Sequence, residues 1–145
     1  MIRIIRKTCA YMLGLGTLFA CAGARAQDVV IVANKGVGFS QITQTQLRDI
    51  FTGTRSRFGD GTSAIPVILK GGPVHEVFLR NHLGEGPAEF RTRWRKAVFT
   101  GQGAMLKECN SEAALLDYVA NTPGAIGYVS RVSGSDGVKV LIVSP

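Results

Sequence analysis

The stretch Asn121-Thr-Pro-Gly-Ala-Ile-Gly-Tyr-Val129 decides the fold of this chain. Pro123 and Gly124 are expected to stop a helix, because proline cannot continue one and glycine closes its carboxyl end without steric cost. Ala125–Val129 follows as a short, mainly apolar run. Such a run next to turn residues is typical of a buried strand. The stretch therefore predicts a helix end, a tight turn and a buried strand in succession.

A second stretch, Leu47-Arg-Asp-Ile-Phe-Thr-Gly53, predicts the end of an amphipathic helix. Leu47, Ile50 and Phe51 fall on one helical face, and Gly53 can close the carboxyl end. The helix has an equally clear start a few residues earlier. Its first turn fits a capping box, in which a threonine and a glutamine three residues later satisfy each other's backbone N–H groups; these residues are Thr43 and Gln46.

Strands and helices alternate along the remainder of the chain. This alternation predicts an α/β fold, a single three-layer lobe with a mostly parallel four-stranded sheet. The last strand can instead run antiparallel, because its connection is too short for a crossover helix. The predicted strands are Val29–Ala33, Ala64–Leu69, Ala125–Val129 and Val138–Val143, and the later helices begin near Pro73, Pro87 and Ser111.

Taken together and in this order, the two stretches resemble the phosphate-type substrate-binding proteins of bacterial ABC importers, in the type 2 periplasmic binding protein superfamily. Those proteins carry an I-F-x-G helix end, later a strand that leads to an anion-binding helix, and then a G-A-I-G-Y-V segment. The resemblance runs from about Val29 to Val143. It covers one lobe of a two-lobed family, the second, and implies solute binding without catalysis.

The turn that binds phosphate in this family differs here. There, an arginine, a short spacer and Ser-Gly-Thr hold the anion. Matching through Phe78 places Gly72, Pro73 and Val74 in the Ser-Gly-Thr positions, with Lys70 nearest the arginine position. Both hydroxyls are missing, proline has no N–H to donate, and lysine binds as a point charge rather than as a fork. The resemblance therefore implies low affinity for phosphate or another small anion.

The candidate ligand-binding residues lie at this turn and are Lys70, Gly71, Gly72, Val74 and His75. In open α/β sheets, ligands bind beyond the carboxyl ends of the strands, where helix N-termini favour anions. The glycines let the backbone approach a ligand, and the lysine adds positive charge. The same pattern also fits a tight strand-to-helix turn with a solvated lysine, so both interpretations stay open.

A basic helix face provides an alternative function. It surrounds Trp94 and consists of Arg91, Arg93, Arg95 and Lys96. Such a face is either solvated, or it binds a protein partner or an anionic surface. The second hypothesis is therefore a periplasmic protein-interaction module that kept the scaffold and lost the solute.

The N-terminus has the three parts of an export signal. Basic residues come first, the apolar segment 8–23 follows, and Ala24-Arg-Ala26 fits a cleavage site. We expect residues 1–26 to be a signal peptide and residues 27–145 to form one periplasmic-binding-protein-like domain, without a membrane span after cleavage. An uncleaved anchor and a lipoprotein attached through Cys21 are the alternatives.

Cleavage changes what the composition implies. Of the 17 basic residues, four lie in the signal, so 13 remain against 10 acidic ones and the net charge falls from +7 to +3. The high charge of the full chain is therefore no argument for nucleic-acid binding. Of the three cysteines only Cys109 remains, so an intrachain disulfide is excluded. The polar neighbours of Cys109 predict partial exposure. Its thiol is either buried and inert or available to a partner.

The motifs of common enzyme chemistries are incomplete. Gly36 and Gly38 begin a dinucleotide fingerprint, but Gln41 stands where its third glycine belongs. His75 lies seven residues before His82, about 10 Å along a helix, too far to share a metal. Serines have no evident His/Asp partners. We therefore expect no enzyme, no metal and no cofactor.

Overall fold

The computed structural model describes residues 28–101, 106–132 and 136–145, and the predicted signal peptide lies outside them. Among the described residues, no helix combines the length and apolar character needed to cross a membrane. The strands are β1 (Val30–Asn34), β2 (Gln41–Thr43), β3 (Ile65–Leu69), β4 (Lys107–Cys109), β5 (Ala125–Val129) and β6 (Val138–Ser144). The α-helices are α1 (Gln44–Phe51), α2 (Pro73–Phe78), α3 (Pro87–Phe99) and α4 (Glu112–Asn121), and a π-helical turn, Leu79–Leu83, follows α2.

The strands form one mixed sheet of six, in the order β2-β6-β1-β5-β3-β4. The α/β lobe is confirmed, but the sheet is mixed and has six strands instead of the four predicted; three of its five neighbouring strand pairs are parallel. β1 runs antiparallel to both of its neighbours, β5 and β6. The pairs β3–β5, β3–β4 and β2–β6 are parallel. The two additional strands, β2 and β4, have three residues each, too few for a periodic sequence signal.

Helix α4 covers one face of the sheet. A side chain at Gly127 of β5 would lie 2.8 Å from Leu115 of this helix, so the glycine permits close packing of the two elements. Asn34 at the end of β1 also holds the helix, because its side-chain amide donates to the carbonyls of Val119 and Ala120 at 2.8 and 3.1 Å. The helix begins at an N-cap as predicted, with Ser111 Oγ accepting from Ala114 N.

The other face of the sheet is covered by aromatic side chains from the remaining helices. Tyr128 of β5 stacks on Phe78 of α2 with ring centroids 3.9 Å apart, and Phe51 of α1 meets Phe78 edge-on at 4.8 Å. All three side chains are fully buried. Burial of a large aromatic side chain contributes several kcal/mol, so this cluster fixes α1 and α2 against the sheet. The capping box of Thr43 and Gln46 at the start of α1 is confirmed.

Helix α3 is attached to the rest of the lobe through the side chains of Arg93 and Trp94. Trp94 donates from its indole N–H to the carbonyl of Phe51 at 2.7 Å, and Arg93 donates to the carbonyl of Thr52 at 3.2 Å and pairs with Glu85. Trp94 is buried. Near the carboxyl end the side chains turn outward, and Phe99 is 92% exposed. The far end of α3 therefore stands away from the sheet and leaves a groove beneath it.

Candidate functional site

The predicted ligand-binding turn connects β3 to α2 at the carboxyl end of the strand. The backbone N–H of Lys70 donates to the carbonyl of Cys109 on β4, so the turn is fixed to the sheet. Gly72 is the N-cap of α2 and has a φ of 98°, a conformation that L side chains rarely adopt. Pro73 occupies the first turn, and the helix has only six residues and no side-chain cap. The dipole of such a short helix contributes little positive electrostatic potential at the turn.

The structure divides the predicted site residues into two groups. Lys70, Gly71 and Gly72 are exposed, whereas Val74 and His75 are buried. Lys70 and His75 both line a groove of about 390 Å³, while the other three residues are not part of its wall. The turn alone is therefore an incomplete site, and the groove beside it extends it.

This groove, called the α3 groove below, lies between α3 and the β3–β4 edge of the sheet. Its lining residues in the described part of the chain are Ile68, Leu69, Lys70, His75, Pro87, Phe90, Arg91, Trp94, Arg95, Val98, Phe99, Leu106 and Glu108. Eight of these thirteen residues are apolar. A concave, largely apolar wall with a few convergent polar groups is the common form of a small-molecule site.

Among the described residues that line this groove, three carry a positive charge and one carries a negative charge. Arg91 and Arg95 of α3 line it together with Lys70, and Glu108 of β4 is the acidic group. All three cationic residues are exposed, so their charges are hydrated and lie at the rim. The resulting excess of positive charge favours an anion. In the sequence, Lys70 and the two arginines belong to separate candidate surfaces, and the fold brings them to one groove.

The other two members of the predicted basic face have different surroundings. Arg93 is engaged by Glu85 and by the carbonyl of Thr52. Lys96 lies in a shallow depression on the outer side of α3, together with Arg93 and Glu89, and does not line the groove. The basic face is therefore two surfaces, and only Arg91 and Arg95 face the groove.

His75 is fixed in the groove wall by Tyr128. Tyr128 Oη accepts a hydrogen bond from the backbone N–H of Leu69 at 3.0 Å and lies 2.5 Å from Nδ1 of His75. Among the described residues the phenol has no hydrogen-bond partner besides these two, and donation of its hydrogen to Nδ1 is the arrangement that satisfies its O–H group. In the neutral ring the hydrogen then resides on Nε2.

Both groups of this pair are uncharged at neutral pH. Burial lowers the pKa of His75 below its ordinary value, and the nearby Arg91 guanidinium lowers it further, while Glu108 and Glu76 oppose the shift. Burial likewise raises the pKa of the Tyr128 phenol far above its usual range. The neutral imidazole can donate one hydrogen bond from Nε2 without adding charge to the groove.

The second histidine serves a structural role. His82 Nδ1 donates to Oε1 of Gln44 at 3.1 Å, and the amide of Gln44 donates to the His82 carbonyl at 2.7 Å. These bonds fasten the π-helical turn to α1. Within residues 28–101, 106–132 and 136–145, no group of three or more His, Cys, Asp or Glu side chains is placed to hold a metal ion.

Cys109 is buried, with 6% of its surface exposed, although its polar neighbours predict partial exposure. It is the final residue of β4 and pairs with Leu69 of β3. A strand residue alternates faces with its neighbours, so exposed residues at 108 and 110 say little about 109. Burial also raises the pKa of the thiol, and Lys107 offsets this only in part. The structure therefore favours the inert thiol over the available one.

Comparison with known proteins supports the fold. No protein-family model matches the chain. Solved structures do: a Clostridium perfringens protein assigned as the substrate-binding protein of a phosphate ABC transporter, with phosphate bound, superposes with a TM-score of 0.60 at 16% identity. A phosphate transport receptor of Vibrio cholerae gives 0.53 at 17%, and PstS of Borrelia burgdorferi gives 0.57 at 15%.

These matches cover most of this chain and less than half of each neighbour. They include 79% of the chain in all three cases, against 44%, 45% and 46% of the three other proteins. The chain therefore has the fold of one lobe of a phosphate-importer binding protein. At such low identity the likeness concerns the fold alone.

Proposed function

We propose that this chain is a non-enzymatic, exported binding domain that holds a small anion with low affinity in the α3 groove beside the Lys70–His75 turn. The observation that carries the proposal is the meeting of Lys70, Arg91 and Arg95 around one groove at the carboxyl end of β3. Sheet ends of this kind are the usual ligand positions in α/β folds. The structural neighbours named as phosphate-binding support the same class of ligand.

Low affinity follows from the groups that are available. Lys70 and both arginines are exposed, so each charge-assisted bond competes with water in a high dielectric. Gly72 and Pro73 bring no hydroxyl, and Pro73 has no N–H. We expect a dissociation constant for inorganic phosphate on the order of 0.1–10 mM, equivalent to about 3–5.5 kcal/mol.

Calorimetric titration of inorganic phosphate tests this proposal. The Lys70→Ala variant should weaken binding, and added salt should weaken it in the wild type because exposed charges are screened. Lys96→Ala is the matched control, since it removes the same charge from an exposed site on α3 that does not line the groove. Sub-micromolar affinity, or equal effects of the two substitutions, would place the site elsewhere.

A protein-interaction module is the second candidate function. It is favoured by one observation, the exposure of Phe99 at 92% and of Val98 at 45% on the rim that also carries Arg95. Exposed apolar and arginine side chains in one patch are common in protein interfaces. Absence of saturation by phosphate at tens of millimolar would favour this function over anion binding.

Export is part of the proposal and has its own test. The full chain should be expressed in a Gram-negative host and its periplasmic fraction analysed by intact-mass spectrometry. The mass should correspond to a protein that begins at Gln27. A mass that retains residues 1–26, or a lipid-modified Cys21, would replace the cleaved signal with one of its two alternatives.

A further inference from the structure

We propose that the preferred ligand of the α3 groove is a small soluble organic anion, an aryl or short alkyl phosphate or carboxylate, rather than a bare inorganic ion. This inference rests on the proposed function, because it specifies the ligand class of the same site. It requires that one part of the groove recognises charge and that another part recognises an apolar body.

The size and composition of the groove are the first argument. Its volume of about 390 Å³ lies within the range of small-molecule sites and greatly exceeds the space that one tetrahedral oxyanion fills. A bare anion at the rim would leave most of the apolar wall in contact with water. A ligand with an apolar body would displace that water and gain the free energy of burial.

The position of the aromatic rings is the second argument. Phe90 lies between His75 and Trp94, with its ring centroid 5.9 Å from that of His75 and 6.2 Å from that of Trp94. Phe90 and Trp94 expose only 3% and 5% of their surface, so they form the floor of the groove, while the exposed Val98 provides its side. An aromatic or alkyl group on this floor would pack against rings without disturbing the core.

The separation of charge from the floor is the third argument. Lys70, Arg91 and Arg95 are exposed at the rim. His75 belongs to the wall, is 4% exposed, and has no protein partner for Nε2 among the described residues. An amphipathic anion fits this arrangement, with its charged group among the rim cations and its apolar body inside. The Nε2–H group can then serve an ester or carboxylate oxygen.

The single tryptophan of the chain makes the inference directly measurable. Trp94 is the sole tryptophan of the sequence and lines the groove. Its fluorescence should therefore change when an apolar body enters, and calorimetry should give the affinity independently. The three probes are phenyl phosphate, inorganic phosphate and benzyl alcohol, each titrated into the processed protein. Phenyl phosphate should bind about tenfold or more tightly than inorganic phosphate, because a ring is partly buried.

The outcomes of this titration separate the inference from the proposed function. Equal affinities for phenyl phosphate and inorganic phosphate would overturn the inference and leave anion binding intact. Equal affinities for phenyl phosphate and benzyl alcohol would show that charge contributes nothing and would overturn both. An absence of binding by all three probes would also overturn both.

Paired substitutions locate the two halves of the ligand. Arg95→Ala should weaken phenyl phosphate about fivefold or more, whereas Lys96→Ala, its neighbour outside the groove, should change the affinity less than about twofold. Val98→Ser should weaken phenyl phosphate and leave inorganic phosphate unaffected. Equal effects of Val98→Ser on both phosphates would contradict the assignment of the apolar side.

A vesicle experiment distinguishes a soluble ligand from a lipid headgroup. The protein should remain in solution when phosphatidylglycerol vesicles are sedimented, because the groove is small and the cations lie on one rim. Cosedimentation that Arg95→Ala abolishes and Lys96→Ala preserves would overturn the soluble ligand in favour of a membrane surface.

Discussion

His75 and Tyr128 share a buried hydrogen bond of 2.5 Å although 53 residues separate them in the sequence. The phenol also accepts the backbone N–H of Leu69 at the end of β3. Through these two bonds a residue of the central strand β5 positions both the last residue of β3 and the imidazole in the groove wall. The geometry of the candidate site is thus fixed from the core of the sheet.

Replacement of Tyr128 by Phe should measure this connection. The variant keeps the stacked ring but leaves the Leu69 N–H and His75 Nδ1 without their partner, and a buried unsatisfied group costs about 1–3 kcal/mol. We expect that loss in the free energy of unfolding, measured by urea denaturation. Tyr118→Phe is the matched control, because Tyr118 is only partly buried and should change stability by less than about 0.5 kcal/mol. Similar values for both variants would contradict the role of the phenol.

Stability should decrease in mildly acidic solution. Burial lowers the pKa of both His75 and His82 from the ordinary value of 6.5. Below pH 6.5 the unfolded chain therefore binds more protons than the folded one, and the free energy of unfolding falls as the pH falls. The stabilisation is fully present above pH 6.5 and is lost progressively as the pH falls below it.

Urea denaturation between pH 7.5 and 5.0 measures this effect. The wild type should show a falling midpoint, and His82→Gln should retain part of the slope because His75 still contributes. A midpoint that is constant or rises over this interval would show that neither histidine is held neutral in the folded state.

The sequence predicts the local elements of this fold and misses its pairings. The strand Ala125–Val129 and the start of α1 were predictable because a buried apolar run and a capping box are encoded by adjacent residues. The direction of β1 was not, because its two antiparallel neighbours come from the far end of the chain. The three-residue strand β4 has no periodic signal and forms only by pairing with β3.

The candidate site shows the same division. Lys70 and the basic residues of α3 were each recognised as candidate binding groups, because charge and glycine are visible in the sequence. Their position around one groove depends on where α3 packs against the rest of the lobe, and the bond from Trp94 to the carbonyl of Phe51 is part of that packing. Phe90 and Trp94 are buried in the core, yet they also form the floor of the groove.

Cys109→Ser should destabilise the protein, contrary to what partial exposure would imply. The side chain is buried next to apolar residues, and an added hydroxyl without a partner costs about 1–3 kcal/mol. Cys109→Ala provides the comparison, since it removes the sulfur without adding a polar group, and it should cost less than serine. Thermal denaturation of the processed protein with and without reductant should give the same ranking. Neutral behaviour of Cys109→Ser would show that position 109 is hydrated.

Gly124→Ala should be strongly destabilising. Gly124 has a φ of 80°, and a Cβ atom there would lie 2.2 Å from the carbonyl oxygen of Ser63, a contact that only backbone movement can relieve. That movement would disturb the adjacent bond from Ile65 N to the Gly124 carbonyl, which joins the starts of β3 and β5. The left-handed conformation alone costs an L residue about 1–2 kcal/mol, and the overlap adds about 1–3 kcal/mol more.

Gly71→Ala is the matched control. Among the described residues, no atom beyond the adjoining ones lies within 4 Å of a Cβ at that position, and the free energy of unfolding should change by no more than about 1 kcal/mol. Urea denaturation of the two variants decides the matter, because equal stabilities would mean that the turn before β5 does not have the conformation described.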